Sequence, residues 1–172
     1  MLFRISFFGA ATPRFIDFST EKSILMDIKT KNLDKIRNVI LANAPVIFKN
    51  RPVLLSYLYG SCARGDVHVF SDIDIAVYLE EMSSPKMLGI ELGLSLDFDA
   101  VIDTGRNVDV RSINHMTLMM KGNIVTEGIL LYSRDETFRI GFETKVRKSY
   151  FDFKPFIHLY HQAYLAGSLV DA

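Results

Sequence analysis

The alternation of short apolar runs with longer stretches of helical period is what most narrows the folds open to this chain. From Asn32 onward Leu33, Ile36, Ile40 and Ala44 recur on one helical face, and Pro45 should end or kink that helix. Thr30 or Asn32 is a candidate cap for its start. After Arg51-Pro52 the run from Val53 to Tyr59 is largely apolar, as a buried strand would be. Ile73 to Leu79 alternates as a second strand. Ser83, Ser84 and Pro85 mark the start of a helix that runs from Met87 to about Ile102, with Pro85 near its first position. Asn107 to Arg111 reads as a third, short strand, Asn114 to about Thr126 as a helix, and Gly128 to Tyr132 as a further strand. From Asp135 to about Leu165 the chain is mostly helical, with Pro155 bending or breaking it. Strands alternating with helices specify an α/β domain of two or three layers.

Composition bounds the function. A length of 172 residues, 49% of them hydrophobic, fits one compact domain with a sizeable core. Lysine plus arginine and aspartate plus glutamate each number 20, which argues against a protein that coats nucleic acid through bulk positive charge. Cys62 is the one cysteine, so the chain has no internal disulfide and no cysteine-built zinc site, and it suits a reducing cytoplasm. No apolar run approaches the length of a membrane span. No linker divides the chain, and residues 26–166 are assigned to a single domain that includes the C-terminal helices. Residues 1–25 are read as an N-terminal extension. Its apolar stretch Ile5 to Ala11 follows Arg4 as in a secretory leader, but Thr12, Pro13 and Arg14 break it early. The other reading makes Met26 the natural start and residues 1–25 an over-extended reading frame. Peptides from before Met26 in the native protein would refute that reading.

The chemistry concentrates between the first two strands. Asp72 and Asp74 stand two apart, so they share one face of the second strand. Two carboxylates side by side repel each other and lose hydration, and a divalent cation removes both objections. Hard oxygen ligands of this kind suit magnesium, with a nucleotide's phosphates among its other ligands. A lone Asp-x-Asp can also be a strand start with one carboxylate capping a turn. Upstream, Gly60-Ser61 ends the first strand. A glycine turn there exposes backbone N–H groups to a phosphate, and Ser61 adds a hydroxyl. A third carboxylate would complete a two-metal site. Asp109, flanked by Val108 and Val110, is favoured over Asp103, which sits beside Thr104-Gly105 as at a turn.

The remaining residues say less. Arg64 either contacts phosphate or an acceptor protein, or pairs with Asp66 on the surface. Cys62 and His68 read as structural. Lys145, Arg147 and Lys148 form a small basic cluster that suits a solvated helix face. Tyr150, Phe151, Phe153, Phe156 and Tyr160 read first as core, and second as the place to look for a protein partner.

The stretch from Gly60 to Asp74, GSCARGDVHVFSDID, resembles the signature of the minimal nucleotidyltransferases (MNT), relatives of the polymerase-beta superfamily. The likeness rests on Gly60, Ser61, Ala63, Arg64, Gly65, Asp66, Ser71, Asp72 and Asp74. It extends over about residues 27–164, and residues 1–25 have no counterpart in it. The helical stretch from Arg139, with Tyr150, Phe151, Asp152 and Pro155, resembles the antitoxin members, which are encoded beside a HEPN-domain ribonuclease toxin. The resemblance implies a nucleotidyltransferase fold, a small mixed β-sheet flanked by α-helices with a helical C-terminal segment. It implies that Gly60 and Ser61 hold a nucleoside triphosphate, with Arg64 as a further candidate contact, and that Asp72, Asp74 and Asp109 hold two magnesium ions. It further implies transfer of AMP from ATP to a tyrosine hydroxyl of the HEPN toxin. Two other functions stay open. One is an antitoxin that acts by occlusion without catalysis. The other is a small-molecule nucleotidyltransferase, such as one modifying an aminoglycoside, although such enzymes usually carry a further helical domain. A nucleic-acid polymerase fits less well, given the neutral charge and the want of a thumb-like domain.

Overall fold

The computed structural model describes residues 18–66, 71–102 and 106–168. The elements run α1 (Phe18–Phe48), β1 (Val53–Tyr59), α2 (Gly60–Arg64), β2 (Ile73–Leu79), α3 (Ser84–Val101), β3 (Val108–Ser112), α4 (Leu118–Glu127), β4 (Ile129–Ser133) and α5 (Glu136–Ser168). The four strands form one sheet in the order β3-β2-β1-β4, with β2 and β3 parallel and the other neighbours antiparallel. The sheet is therefore mixed, as the resemblance implied.

Helices cover both sheet faces. Leu33, Ile36, Ile40, Ala44 and Phe48 of α1 join Met87, Leu94 and Phe98 of α3 against Ile73, Ile75, Val77 and Leu79 of β2. On the other face Leu55, Tyr57, Ala76, Ile113 and Ile124 form a second cluster, packed by Phe138 and Phe142 of α5. β1 lies inside the sheet and feeds side chains to both clusters, so its sequence is apolar almost throughout.

The bounds of α1, α4 and α5 differ from the sequence expectation, α4 beginning at Leu118 rather than Asn114. α1 begins at Phe18 rather than Asn32, and it passes through Met26, Thr30 and Asn32 without a break. No glycine or proline stands between Phe18 and Ala44, so nothing in the backbone chemistry stops the helix earlier. Pro45 lies inside the helix, which runs on to Phe48 and is not ended by it. In α5, Pro155 lies inside the helix, which continues to Ser168. The aromatic group on α5 is mostly not core. Tyr150 is buried, whereas Phe151, Phe153 and Phe156 are exposed, because the helix has by then passed the edge of the sheet. The side chain of Tyr160 lies outside the described residues. Among the described residues no helix is long and apolar enough to cross a membrane.

Candidate active site

Sheet register brings three site residues side by side. Asp74 of β2 pairs with Tyr59 of antiparallel β1 and with Asp109 of parallel β3. Pleating sends Asp74 to the face that Ala76 and Tyr78 share with α4 and α5. Asp72 precedes the strand by one residue and is exposed, while Asp74 is half-buried.

Gly60 locks onto this row. Its φ is +70°, a left-handed conformation that strains other residues, and a Cβ built on it would lie 2.2 Å from Asp74 Oδ2. Only glycine lets the backbone after β1 approach the Asp74 carboxylate so closely. The chain then makes the single short turn of α2, which Gly65 (φ +92°) closes through hydrogen bonds from Gly65 N and Asp66 N to Ser61 O. Arg37 of α1 donates from Nε to Cys62 O and from Nη2 to Ala63 O, at 2.8 Å each, and so holds the end of α2. The buried Cys62 thiol contacts Asp72 O at 3.7 Å, and Arg106 Nη1 donates to Ser71 O at 3.0 Å. Gly60-Ser61 and Asp72 are thereby fixed to one frame.

The electrostatics show a crowded acidic site. Burial, then the charge of Asp109, then that of Asp72 push the Asp74 carboxyl above its usual range, against a smaller opposing pull from Arg64. Burial and the same two acids, Asp74 and Asp109, push the Tyr59 hydroxyl up to about 12, so it stays protonated. Asp109 accepts from Arg111 Nε at 2.9 and 3.0 Å, an ion pair that turns its carboxylate toward that arginine. Among the described residues no three of His, Cys, Asp and Glu stand close enough together to form a ready cation cage.

Arg64 lies 3.6 Å from Asp66 and 3.7 Å from Glu127 of α4, so it is paired as the surface reading expected. It also lines a cleft of about 200 Å³ with Tyr59, Gly60, Met120, Asn123, Ile124 and Glu127. Burial raises the Cys62 thiol, which fits a structural residue rather than a nucleophile. His68 and Asp103 lie outside the described residues. Sequence reasoning missed Tyr59, Arg37, Arg106 and Arg111. For Tyr59 the signal was its place just before Gly60; Arg37 and Arg106 act across long stretches of chain and leave no local mark, whereas Arg111 pairs with Asp109 two residues away, a spacing the sequence did show.

The profile of the family "Polymerase beta, Nucleotidyltransferase" matches residues 42–137, more than half of the chain. The chain belongs to the polymerase-beta nucleotidyltransferase family. No curated protein matches it significantly. Solved structures match the chain at low identity. A toxin–antitoxin solved with AMP-PNP matches at a TM-score of 0.50 and 22% identity, over 76% of this chain and 98% of that one. A structure from Shewanella oneidensis matches at 0.48 and 19%, over 78% and 98% of the two chains. A complex of a tri-AMPylated Shewanella oneidensis HEPN toxin with an MNT antitoxin matches at 0.42 and 21%, over 84% and 99%. Within this nucleotidyltransferase family the mixed sheet is the shared frame, and Gly60 and Asp74 lie inside the matched segment.

Proposed function

We propose that this chain is an MNT-type antitoxin that transfers AMP from ATP to a tyrosine hydroxyl of a HEPN ribonuclease toxin. The observation that carries the reading is the approach of Gly60 to Asp74, which ties a phosphate-binding turn to a row of carboxylates. The toxin–antitoxin structure of the same fold was solved with AMP-PNP, which supports an adenine nucleotide. In this reading the catalytic unit is residues 26–166, at work in the cytoplasm, where a lone buried cysteine stays reduced.

The donor set fits magnesium. Asp72, Asp74 and Asp109 offer hard oxygens, and the raised proton affinity of Asp74, due first to burial and then to Asp109 and Asp72, is what a bound cation would offset. Asp72 and Asp74 would share two ions and Asp109 would hold one. When bound, the ions would neutralise charge on the attacking and leaving oxygens. Gly60 N–H and the Ser61 hydroxyl position the β- and γ-phosphates. The tyrosine oxygen of the acceptor attacks the α-phosphorus in line, the bond to the β-phosphate breaks, and pyrophosphate leaves. Asp109 takes the phenolic proton once its carboxylate is released from Arg111. A phenol with a pKa of about 10 needs this help at neutral pH.

One observation favours a second reading, occlusion without catalysis: the Asp109 carboxylate is engaged by Arg111. The two part in one assay. The purified chain, α-labelled ATP, magnesium and the protein encoded next door are incubated, and intact mass is read with Asp72→Asn as control. AMP units on the partner, absent in the control, support transfer. A tight complex without transfer, and an Asp72→Asn chain that still neutralises, move the assignment to occlusion. Neither transfer nor complex reopens the small-molecule reading, which amino sugars as acceptors then test.

A further inference from the structure

Helix α3 carries its polarity the wrong way round. Its core face is Met87, Leu94 and Phe98, as expected of a helix on a sheet. Its solvent face is also apolar: Leu88, Leu92 and Leu96 are 51%, 59% and 70% exposed. The acids of its middle and end turn back to their own chain. Glu91 accepts from Ser112 N, Asp97 from Arg51, and Asp99 Oδ1 from Val108 N. A helix that is apolar all round is normally covered all round.

We propose that α3 is the contact by which two copies of this chain pair about a two-fold axis. The face is self-complementary in shape. Leu88, Leu92 and Leu96 form a ridge at a spacing of four, and Gly89 and Gly93 form a groove beside it at the same spacing. A Cβ at Gly89 would meet nothing within 4 Å, and one at Gly93 only the tip of Arg51, so neither glycine is required by packing within the chain. Two glycines inside a helix weaken it, which is understandable where another helix must come close. The leucine ridge of one copy fits the glycine groove of the other, and the reverse contact is the same.

The face is also complementary to itself in charge. Lys86 stands at its N-terminal end and Asp99 at its C-terminal end, equally far along the sequence from the Leu92–Gly93 midpoint. A two-fold axis through that midpoint runs the helices antiparallel and sets each Lys86 at the end that bears the partner's Asp99 and the negative pole of its helix. A parallel pairing would oppose like charges. The arrangement fits a second copy rather than an unrelated partner, because each feature is answered by another on the same helix.

The test is sedimentation of the full chain at tens of micromolar. The expected species is a dimer. Gly89→Leu should make it monomeric by filling the groove, with helix content by circular dichroism unchanged, since a Cβ at this position meets nothing within 4 Å in its own chain. Lys86→Glu should weaken the dimer at low salt by about fivefold or more, and adding Asp99→Lys, in a chain that thermal unfolding shows to be folded despite the lost bond from Val108 N, should restore it. A monomeric wild type overturns the proposal and leaves the face to another occupant, the chain's own Ile5 to Ala11 stretch or a hetero-partner. A dimer indifferent to Gly89→Leu overturns it equally.

Discussion

Replacing Gly60 by alanine tests whether the glycine–carboxylate contact carries the activity. Two costs separate cleanly. The first is backbone strain: alanine at φ +70° loses about 1–2 kcal/mol. For a chain of this size that lowers Tm by roughly 2–8 °C. The second is steric. The new Cβ lies 2.2 Å from Asp74 Oδ2, so the carboxylate must retreat to beyond 3.0 Å or push the turn away. A misplacement of about 1 Å in reacting groups costs on the order of 10²-fold in rate. Gly65 supplies the control. It has φ +92°, but its Cβ would meet only Arg37 Nη2 at 3.9 Å, an ordinary contact. Gly65→Ala should therefore lose similar stability and keep its transfer activity. The assays are thermal unfolding and initial rates of magnesium-dependent AMP transfer. If both variants lose stability alike and both keep full activity, the approach of Gly60 to Asp74 is not what the reaction depends on, and the site assignment fails with it.

Other perturbations follow from the same geometry. Asp74 has its folded pKa raised, so its ionised form weakens the metal-free fold above that pKa, and the penalty fades as pH falls through it toward the ordinary value of 3.8. Asp74→Asn should thus raise Tm at pH 7, not below pH of about 4, while transfer falls at least about 10²-fold; an unchanged Tm at pH 7 would refute the crowding argument. Arg111→Ala releases Asp109 from a half-exposed ion pair worth about 0–1 kcal/mol, so half-maximal transfer should need less magnesium, by up to about fivefold; a higher requirement in a magnesium titration would show that Arg111 builds the site. Glu143 accepts from the buried Tyr57 hydroxyl and from Arg139, both at 2.9 Å. Glu143→Leu strands those donors and should cost about 1–3 kcal/mol in urea unfolding. Burial alone would raise the Glu143 carboxyl, but Arg139 and Tyr57 hold it below its usual value. Its contribution is therefore complete above the ordinary 4.5 and lost as pH falls through the lower folded value, and a wild type and Glu143→Gln with the same acid-unfolding midpoint would contradict this.

What could be read from the sequence divides along a physical line. Elements were legible where one local rule governed them. The apolar run of β1, the Ser83-Ser84-Pro85 start of α3 and the Leu33, Ile36, Ile40, Ala44 stripe all stand where expected. Asp109 stood out because an acid between two valines needs a reason, and its register with Asp74 is such a reason. That register itself was not legible, because the pairing of β2 with β3 is decided by packing across the sheet and not by either strand. Arg37 shows the same limit. It looks like a solvated residue on a helix flank, yet it holds α2 from 25 residues away. The α5 aromatics failed for another reason: their spacing suits a core, but helix length carries Phe151, Phe153 and Phe156 past the sheet they would cover.

On the proposed reading, Arg111, which the sequence left unremarked, and Arg64 bear on how the site is held before a metal or nucleotide arrives. Asp72, Asp74 and Asp109 lie near one sheet end, and burial, then the charges of Asp109 and Asp72, raise the cost of ionising Asp74. Left alone, that cluster would work against the pairing of β2 with β3. Arg111 pairs with Asp109, and Arg64 draws the Asp74 carboxyl down from the other side. Both arginines are largely exposed, so each contact is weak and readily exchanged. Weak, reversible neutralisation is what the proposed cation uptake would require. A buried arginine would hold its acid too firmly, and no arginine would leave the repulsion uncancelled during folding. The opposite responses expected of Asp74→Asn and Arg111→Ala, one trading activity for stability and the other easing metal entry, both follow from this one balance.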